Sequence, residues 1–213
     1  MNINPSLCFW GIFILLAAII IYCDRKYGLL RDTSTAAVRP YSFATVQLAW
    51  WMTIVLSSFI SILLLKFKIP TFNDSTLILI GITGSTKIAA NAIDVSDQAN
   101  LSITRHQNEG NDYFLLDILS DANGVSIHRL QTVIFNVIFG FWFVTTVLYN
   151  LKNPSSDVNA IIPLIENNNL ILLGLSSGTY AALKTTENKG TQSNTQSEVV
   201  RDEALAGGVK GEG

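Results

Sequence analysis

Three long runs of this sequence carry no charged side chain: residues 1–23, 40–65 and 130–151. A helix needs about 20 apolar residues to cross the roughly 30 Å hydrocarbon core of a bilayer, and each run supplies them. Backbone N–H and C=O groups find no water there, so a segment that crosses must satisfy them internally as a helix. Composition agrees, since 14% of the 213 residues are charged where an ordinary soluble domain has about 25%. The mean hydropathy is +0.36. Two shorter stretches, 75–86 and 167–183, are apolar but rich in Gly, Ser and Thr, and both are read as spans. The expected fold class is all-α: a polytopic membrane bundle of five transmembrane helices.

Cation placement gives the orientation through the positive-inside rule. Residues 1–7 carry no cation, whereas Arg25, Lys26, Arg31 and Arg39 follow the first run. With five alternating spans, Arg105, Arg129, Lys184, Lys189, Arg201 and Lys210 fall on that same side, and only Lys66, Lys68 and Lys152 on the other. The N-terminus is therefore expected outside and the C-terminus in the cytoplasm of a bacterial inner membrane. Dropping either Gly-rich stretch would strand cations on the wrong face. The first run has no positive region before it and no small-x-small site after it, so it is expected to stay as an anchor rather than be cleaved. Cys8 and Cys23 would stand about 22 Å apart on one helix, too far for a disulfide.

An internal duplication is legible in two registers. At an offset of 84, Ser42, Gln47, Ile54, Phe59, Leu64, Lys68 and Pro70 match Ser126, Gln131, Ile138, Phe143, Leu148, Lys152 and Pro154. At an offset of 93, Leu77, Ile78, Leu79, Gly81, Thr86 and Ala89 match Leu170, Ile171, Leu172, Gly174, Thr179 and Ala182. Leu30-x-Asp32 answers Leu119-x-Asp121. The expected layout is an N-terminal transmembrane helix (1–24), a first helical-hairpin repeat (25–93), a cytoplasmic loop with an interfacial helix (94–125), a second helical-hairpin repeat (126–184) and a disordered cytoplasmic tail (185–213). Both repeats begin on the same side, so they are parallel rather than inverted.

Arg39-Pro40-Tyr41-Ser42, the approach Asp121-x-Asn123-Gly124-x-Ser126 and the run Gly174-Leu175-Ser176-Ser177-Gly178-Thr179-Tyr180 resemble motifs of an uncharacterised family of bacterial multi-pass inner-membrane proteins with tandem helical hairpins. The resemblance covers residues 39–184. It implies a fold and a location, and no reaction.

The candidate functional residues lie in the spans. Small residues recur every fourth position, Gly81, Ser85 and Ala89 in one return helix and Gly174, Gly178 and Ala182 in the other. Such stripes let helix backbones approach closely in lipid, within one bundle or between protomers, with Gly174 and Gly178 expected at the closest approach. Gly84, Ser177 and Thr179 join them as candidates for packing or for a hydroxyl-lined pathway, although such hydroxyls often bond their own helix carbonyls. Gln47, Gln131 and Asn136 are amides within long spans, suited to interhelical hydrogen bonds, and Lys87 is a cation expected to snorkel to the inner interface.

Enzyme chemistry finds no foothold. Asp117, Asp121 and Asn123-Gly124 fail the calcium-loop pattern at Leu119 and Leu130, where oxygen ligands are required. The segment reads instead as an interfacial amphipathic piece over 113–119, a turn at Asn123-Gly124, and Ser126 capping the next helix. No metal ligand cluster, cofactor motif, phosphate loop or nucleophile elbow is found, and a pI near 5.6 argues against a nucleic-acid partner. Beyond residue 184 the sequence is polar and acidic, without the composition of a packed segment. The expected partners are the lipid bilayer and a homo-oligomer or other membrane protein. The expected function is an integral membrane assembly or scaffold subunit whose small-residue helices mediate helix and protomer packing. The alternative is a channel or transporter-like protein with a hydroxyl-lined pathway between the hairpins.

Overall fold

The computed structural model describes residues 4–32, 38–99, 104–105, 113–121, 124–153, 157–187 and 189–190. Its helices, in chain order, are α1 (Pro5–Tyr27), α2 (Phe43–Lys66), α3 (Asp74–Ala99), α4 (Phe114–Leu119), α5 (Ile127–Lys152) and α6 (Asn167–Glu187). Four of them, α1, α2, α3 and α5, are long and apolar enough to cross a membrane. The fifth long helix, α6, has 21 residues, about 31 Å at 1.5 Å per residue, and opens on the polar run Asn167, Asn168, Asn169. It runs to Glu187, past residue 185, where the tail was expected to begin. The tail from 191 onward lies outside the described residues.

Short antiparallel pairs tie the connections. β1 (Thr104–Arg105) pairs with β4 (Lys189–Gly190), and β2 (Ser120–Asp121) with β3 (Gly124–Val125). An isolated bridge joins Arg31 to Tyr41. The two connections that lead into α2 and α5 are built alike. Ser42 N donates to Leu30 O at 2.8 Å, and Ser126 N donates to Leu119 O at 2.9 Å, so both residue pairs matched in the sequence make the same hydrogen bond. Ser42 and Ser126 both stand at extended N-cap positions, φ −87° and −88°. Neither hydroxyl makes a capping bond, which corrects the capping role expected of Ser126. The backbone bond to the preceding Leu holds the helix start instead.

The first connection turns at Gly28, which ends α1 in the left-handed region at φ 68°, where only glycine sits without strain. A Cβ there would also stand 2.7 Å from Arg39 Nη2. Arg31 then lies over the Tyr41 ring, 4.4 Å from its centroid, and donates to Arg39 O at 2.7 Å and to Tyr41 Oη at 3.2 Å. The second connection is closed by Arg129, a buried guanidinium that donates to Ser120 O and faces the Tyr180 ring at 5.3 Å. Tyr180 in turn packs on Phe43, with ring centroids 4.5 Å apart.

At the opposite end, asparagines join the loops. Asn73 Oδ1 accepts from Thr76 N at 2.9 Å, from Thr76 Oγ1 at 2.8 Å and from Ser75 Oγ at 2.9 Å. Its Nδ2 donates to Ile162 O at 3.2 Å and Pro163 O at 3.1 Å. Thr71 meets Asn159, and Asn150 Nδ2 donates to Ile161 O at 3.1 Å. The loop after α2 thus sits against the loop after α5, just as Tyr41, before α2, bonds Asp117, before α5. Hence α2 and α5 run from the same end of the molecule to the same end.

The core fills the space between. Trp51, Ile54, Val55, Ile62, Leu79, Phe143, Val147 and Leu173 are buried in one cluster. The loop before α6 closes it, with Ile161, Ile162 and Ile165 buried in that same cluster. Helix α1 lies along α2 and α5 and contributes one buried apolar side chain, Phe9.

The matched helices do not present matched faces. Gln47 is buried where Gln131 is exposed, and Ile54 is buried where Ile138 is 57% exposed. Adding one residue to each offset, 84 to 85 and 93 to 94, sets buried on buried: Gln47 on Thr132, Trp51 on Asn136, Val55 on Gly140, Leu79 on Leu173, Thr83 on Ser177. One residue is a rotation of about 100° on a helix. The sequence register and the packing register therefore differ by that turn.

Candidate functional site

A polar knot sits between the helices, centred on Asn136 of α5. Its Oδ1 accepts from Trp51 Nε1 at 2.6 Å and from Gln47 Nε2 at 3.3 Å, both on α2. Its Nδ2 donates to Thr132 O at 2.7 Å, one turn back on its own helix. Gln47 Nε2 also donates to Ser177 Oγ of α6 at 2.9 Å, so three helices share one network. All four side chains, Gln47, Trp51, Asn136 and Ser177, are buried. Interhelical hydrogen bonds of this kind in a membrane average about 0.6 kcal/mol each, which suits them to fixing which faces meet. Gln47 Oε1 is buried and has no hydrogen-bond partner among the described residues.

Beside the knot, Trp50 donates from Nε1 to Asn136 O at 3.1 Å. Its indole reaches that carbonyl by crossing α5 at Gly140, where an added Cβ would lie 2.6 Å from Nε1. Among the described helical glycines, the one whose added Cβ would collide with a neighbour is therefore Gly140, not a glycine of the expected stripe. A Cβ on Gly174 would meet Ile82 Cδ1 at an ordinary 3.4 Å, and at Gly81, Gly84 and Gly178 it would meet nothing within 4 Å.

The stripes themselves face away from the bundle. Gly81, Ser85, Gly178, Thr179 and Ala182 are exposed, and Gly84, Ala89 and Gly174 half-buried. The expectation that they pack within one bundle is corrected by the geometry. Helix α3 buries Thr76, Leu79, Thr83, Thr86 and Ala90, and α6 buries Leu170, Leu173, Ser177 and Tyr180. These positions alternate three and four apart, and Gly81 lies about 200° around the helix from Leu79. Buried hydroxyls mostly turn back on their own helix: Thr53 to Ala49 O, Ser58 to Ile54 O, Ser61 to Ser57 O, Thr83 to Leu79 O and Thr86 to Ile82 O.

Of the remaining sequence candidates, Lys87 is half-buried on α3. Gln131 is exposed and outside the knot, lining a shallow groove of about 160 Å³ with His128, Leu175, Ser176 and Thr179. A larger cavity of about 250 Å³ lies between α2, α4 and α5, and Gln47 and Asn136 are among its lining residues. Sequence reasoning found Gln47, Asn136 and Ser177 one by one but missed Trp50, Trp51 and Gly140 as their neighbours. The available signal was a lone glycine inside a charge-free span, where glycine disfavours a helix by about 1 kcal/mol relative to alanine. Among the described residues no group of three His, Cys, Asp or Glu side chains is placed to hold a metal ion. Compared with known protein families, with curated proteins and with solved structures, the chain matches none.

Proposed function

We propose that this chain is a five-span subunit of the bacterial inner membrane, N-terminus outside and C-terminus in the cytoplasm. It is built from two parallel hairpins of one duplicated unit and is not itself an enzyme. Its role is assembly: α3 and α6 present a small-residue surface to a second copy or to another membrane protein.

The observation that carries this reading is the direction of the stripes. Gly81, Ser85, Gly178 and Ala182 are exposed, and neither exposed glycine is required by a contact inside the bundle. Helix–helix association in lipid relies on close backbone approach, which small residues permit. The exposed Gln131 and Thr179 and the half-buried Ser176 around the adjacent groove add polar groups that a facing helix satisfies and a lipid tail does not. The like-built connections before α2 and α5 support the duplication. The alternative, a hydroxyl-lined pathway, draws less support: most of the buried hydroxyls bond back to their own helices, and Ile161, Ile162 and Ile165 fill the end of the bundle.

The test is cysteine cross-linking in native vesicles, with Cys8 and Cys23 replaced by serine. Gly81→Cys and Gly178→Cys should give cross-linked species of defined mass, while Leu64→Cys, exposed on α2, should give none. Monomer at both glycine positions, in vesicles and by native mass spectrometry, would remove the assembly reading.

A further inference from the structure

Charge is sorted by depth where α1 ends. Residues 24–41 hold the cations Arg25, Lys26, Arg31 and Arg39 and the carboxylates Asp24 and Asp32. Both carboxylates are buried, whereas Arg25, Lys26 and Arg39 are exposed. Asp24 Oδ1 accepts from Leu30 N at 2.9 Å, inside the first connection. The surface that this segment presents is therefore more cationic than its composition.

One of these cations has a built seat. Arg31 donates to Arg39 O and to Tyr41 Oη, which braces the backbone at Arg39. Arg39 Nη2 then stands 2.7 Å from the place a Cβ on Gly28 would take, so a residue with a side chain would displace the guanidinium. Lys26, two residues before Gly28, lies 5.1 Å from the centroid of Tyr27 and 5.8 Å from that of Tyr22. Both tyrosines are exposed, as aromatic residues are where hydrocarbon meets headgroups. Leu29 and Val38, the chain neighbours of Gly28 and Arg39, are exposed as well.

We propose that Arg39 and Lys26 bind the phosphate of one anionic phospholipid at this end of α1, with Leu29 and Val38 against its acyl chains. The site rests on the membrane placement proposed above, and not on which end of the chain faces the cytoplasm. A guanidinium presents its N–H donors as a planar fork that matches phosphate oxygens, and basic pockets beside spans take such heads. The pull of a helix C-terminus on cations accounts for Arg25 and Lys26 in the last turn of α1. It does not account for a guanidinium carried back from residue 39 to Gly28. A free phosphate gains nothing from Leu29 and Val38, whereas a lipid covers them.

The full chain in a neutral detergent is titrated with dioleoyl phosphatidylglycerol or with dioleoyl phosphatidylcholine, which has the same acyl chains and a zwitterionic head. Bound lipids are counted by native mass spectrometry. The first phosphatidylglycerol should half-saturate about tenfold lower than the first phosphatidylcholine, the discrimination of one charge-assisted hydrogen bond. Arg39→Gln should remove most of that preference, and Lys68→Gln, an exposed cation past the other end of α2, should keep it. Excess inorganic phosphate should leave the lipid bound. Displacement by phosphate would assign the site to a free anion and overturn the proposal. Equal binding of the two lipids by the natural chain would overturn it too, as would an undiminished preference in folded Arg39→Gln. Should that variant not fold, the comparison of lipids on the natural chain decides. Alkaline carbonate extraction of native membranes tests the membrane placement separately: a chain that resists extraction and prefers neither lipid loses this site alone.

Discussion

The indole of Trp50 occupies the space a side chain on Gly140 would need, 2.6 Å from the position of its Cβ, and from there it donates to Asn136 O at 3.1 Å. Gly140→Ala should therefore push the indole off its acceptor. Overpacking of a tight contact costs about 1–3 kcal/mol, read as a lower thermal midpoint of the solubilised protein. Trp50→Leu in the same chain should remove most of the effect of Gly140→Ala. Independent, additive losses would show that the two residues do not share this space.

Gln47 and Gln131 align in sequence and separate in the structure. Gln47→Leu should destabilise the bundle, because Ser177 and Asn136 lose a buried donor, and an unsatisfied buried group costs about 1–3 kcal/mol. Gln131→Leu, on an exposed residue, should stay within about 0.5 kcal/mol in the monomer. Chemical unfolding of both variants in one detergent checks the contrast, and equal losses would contradict the placement of Gln47 in the core.

What the sequence revealed and what it concealed have one physical cause. Charge-free length is set by bilayer thickness, so α1, α2, α3 and α5 could be read from residues 1–23, 40–65, 75–86 and 130–151. Which face of each helix is buried could not be read, because in lipid both faces are apolar. Helix α2 buries Ser57, Ser58 and Ser61 and exposes Leu63 and Leu64, the reverse of a water-soluble pattern. A four-residue stripe was therefore legible from Gly81 to Ala89, but not that Gly81 and Ser85 are exposed. The one-residue turn between the matched and the packed registers is likewise invisible, since identities at Gln131 and Ile138 persist on a face that does not pack. Gln47, Asn136 and Ser177 were legible as polar residues in spans, whereas their meeting depends on that rotation.

At the far end, Asn73 joins α3 to the loop before α6 with both ends of its amide. Asn73→Ala should remove the helix cap, worth about 1 kcal/mol, and release the loop carbonyls of Ile162 and Pro163. Asn73→Asp keeps an acceptor for Thr76 and loses only the donor to the loop. The expected order of protease resistance at residues 157–166 is natural chain, then Asn73→Asp, then Asn73→Ala; cleavage unaffected by either change would contradict the join.

Orientation is testable by enzyme fusions. The cation bias predicts that a reporter active only outside the cytoplasm is silent when fused after residue 184 and active when fused in the loop after α2. Activity at the first position would reverse the topology.

Gly178 separates packing inside the bundle from packing between bundles. Since a Cβ there meets nothing within 4 Å, Gly178→Leu should leave the monomer's thermal midpoint unchanged or slightly raised, because leucine favours a helix over glycine by nearly 1 kcal/mol. In the membrane the same change places a branched side chain on the surface proposed to meet a neighbour, so the assembled species should fall in favour of monomer. Leu175→Ala, on a side chain 64% exposed, should disturb the assembly less, because it opens space rather than blocking approach. Native mass spectrometry for stoichiometry and thermal unfolding for the monomer give the two readouts separately. A large loss of monomer stability in Gly178→Leu would mean that α6 packs inward at this position, and unchanged stoichiometry in both variants would leave the outward stripe without a partner.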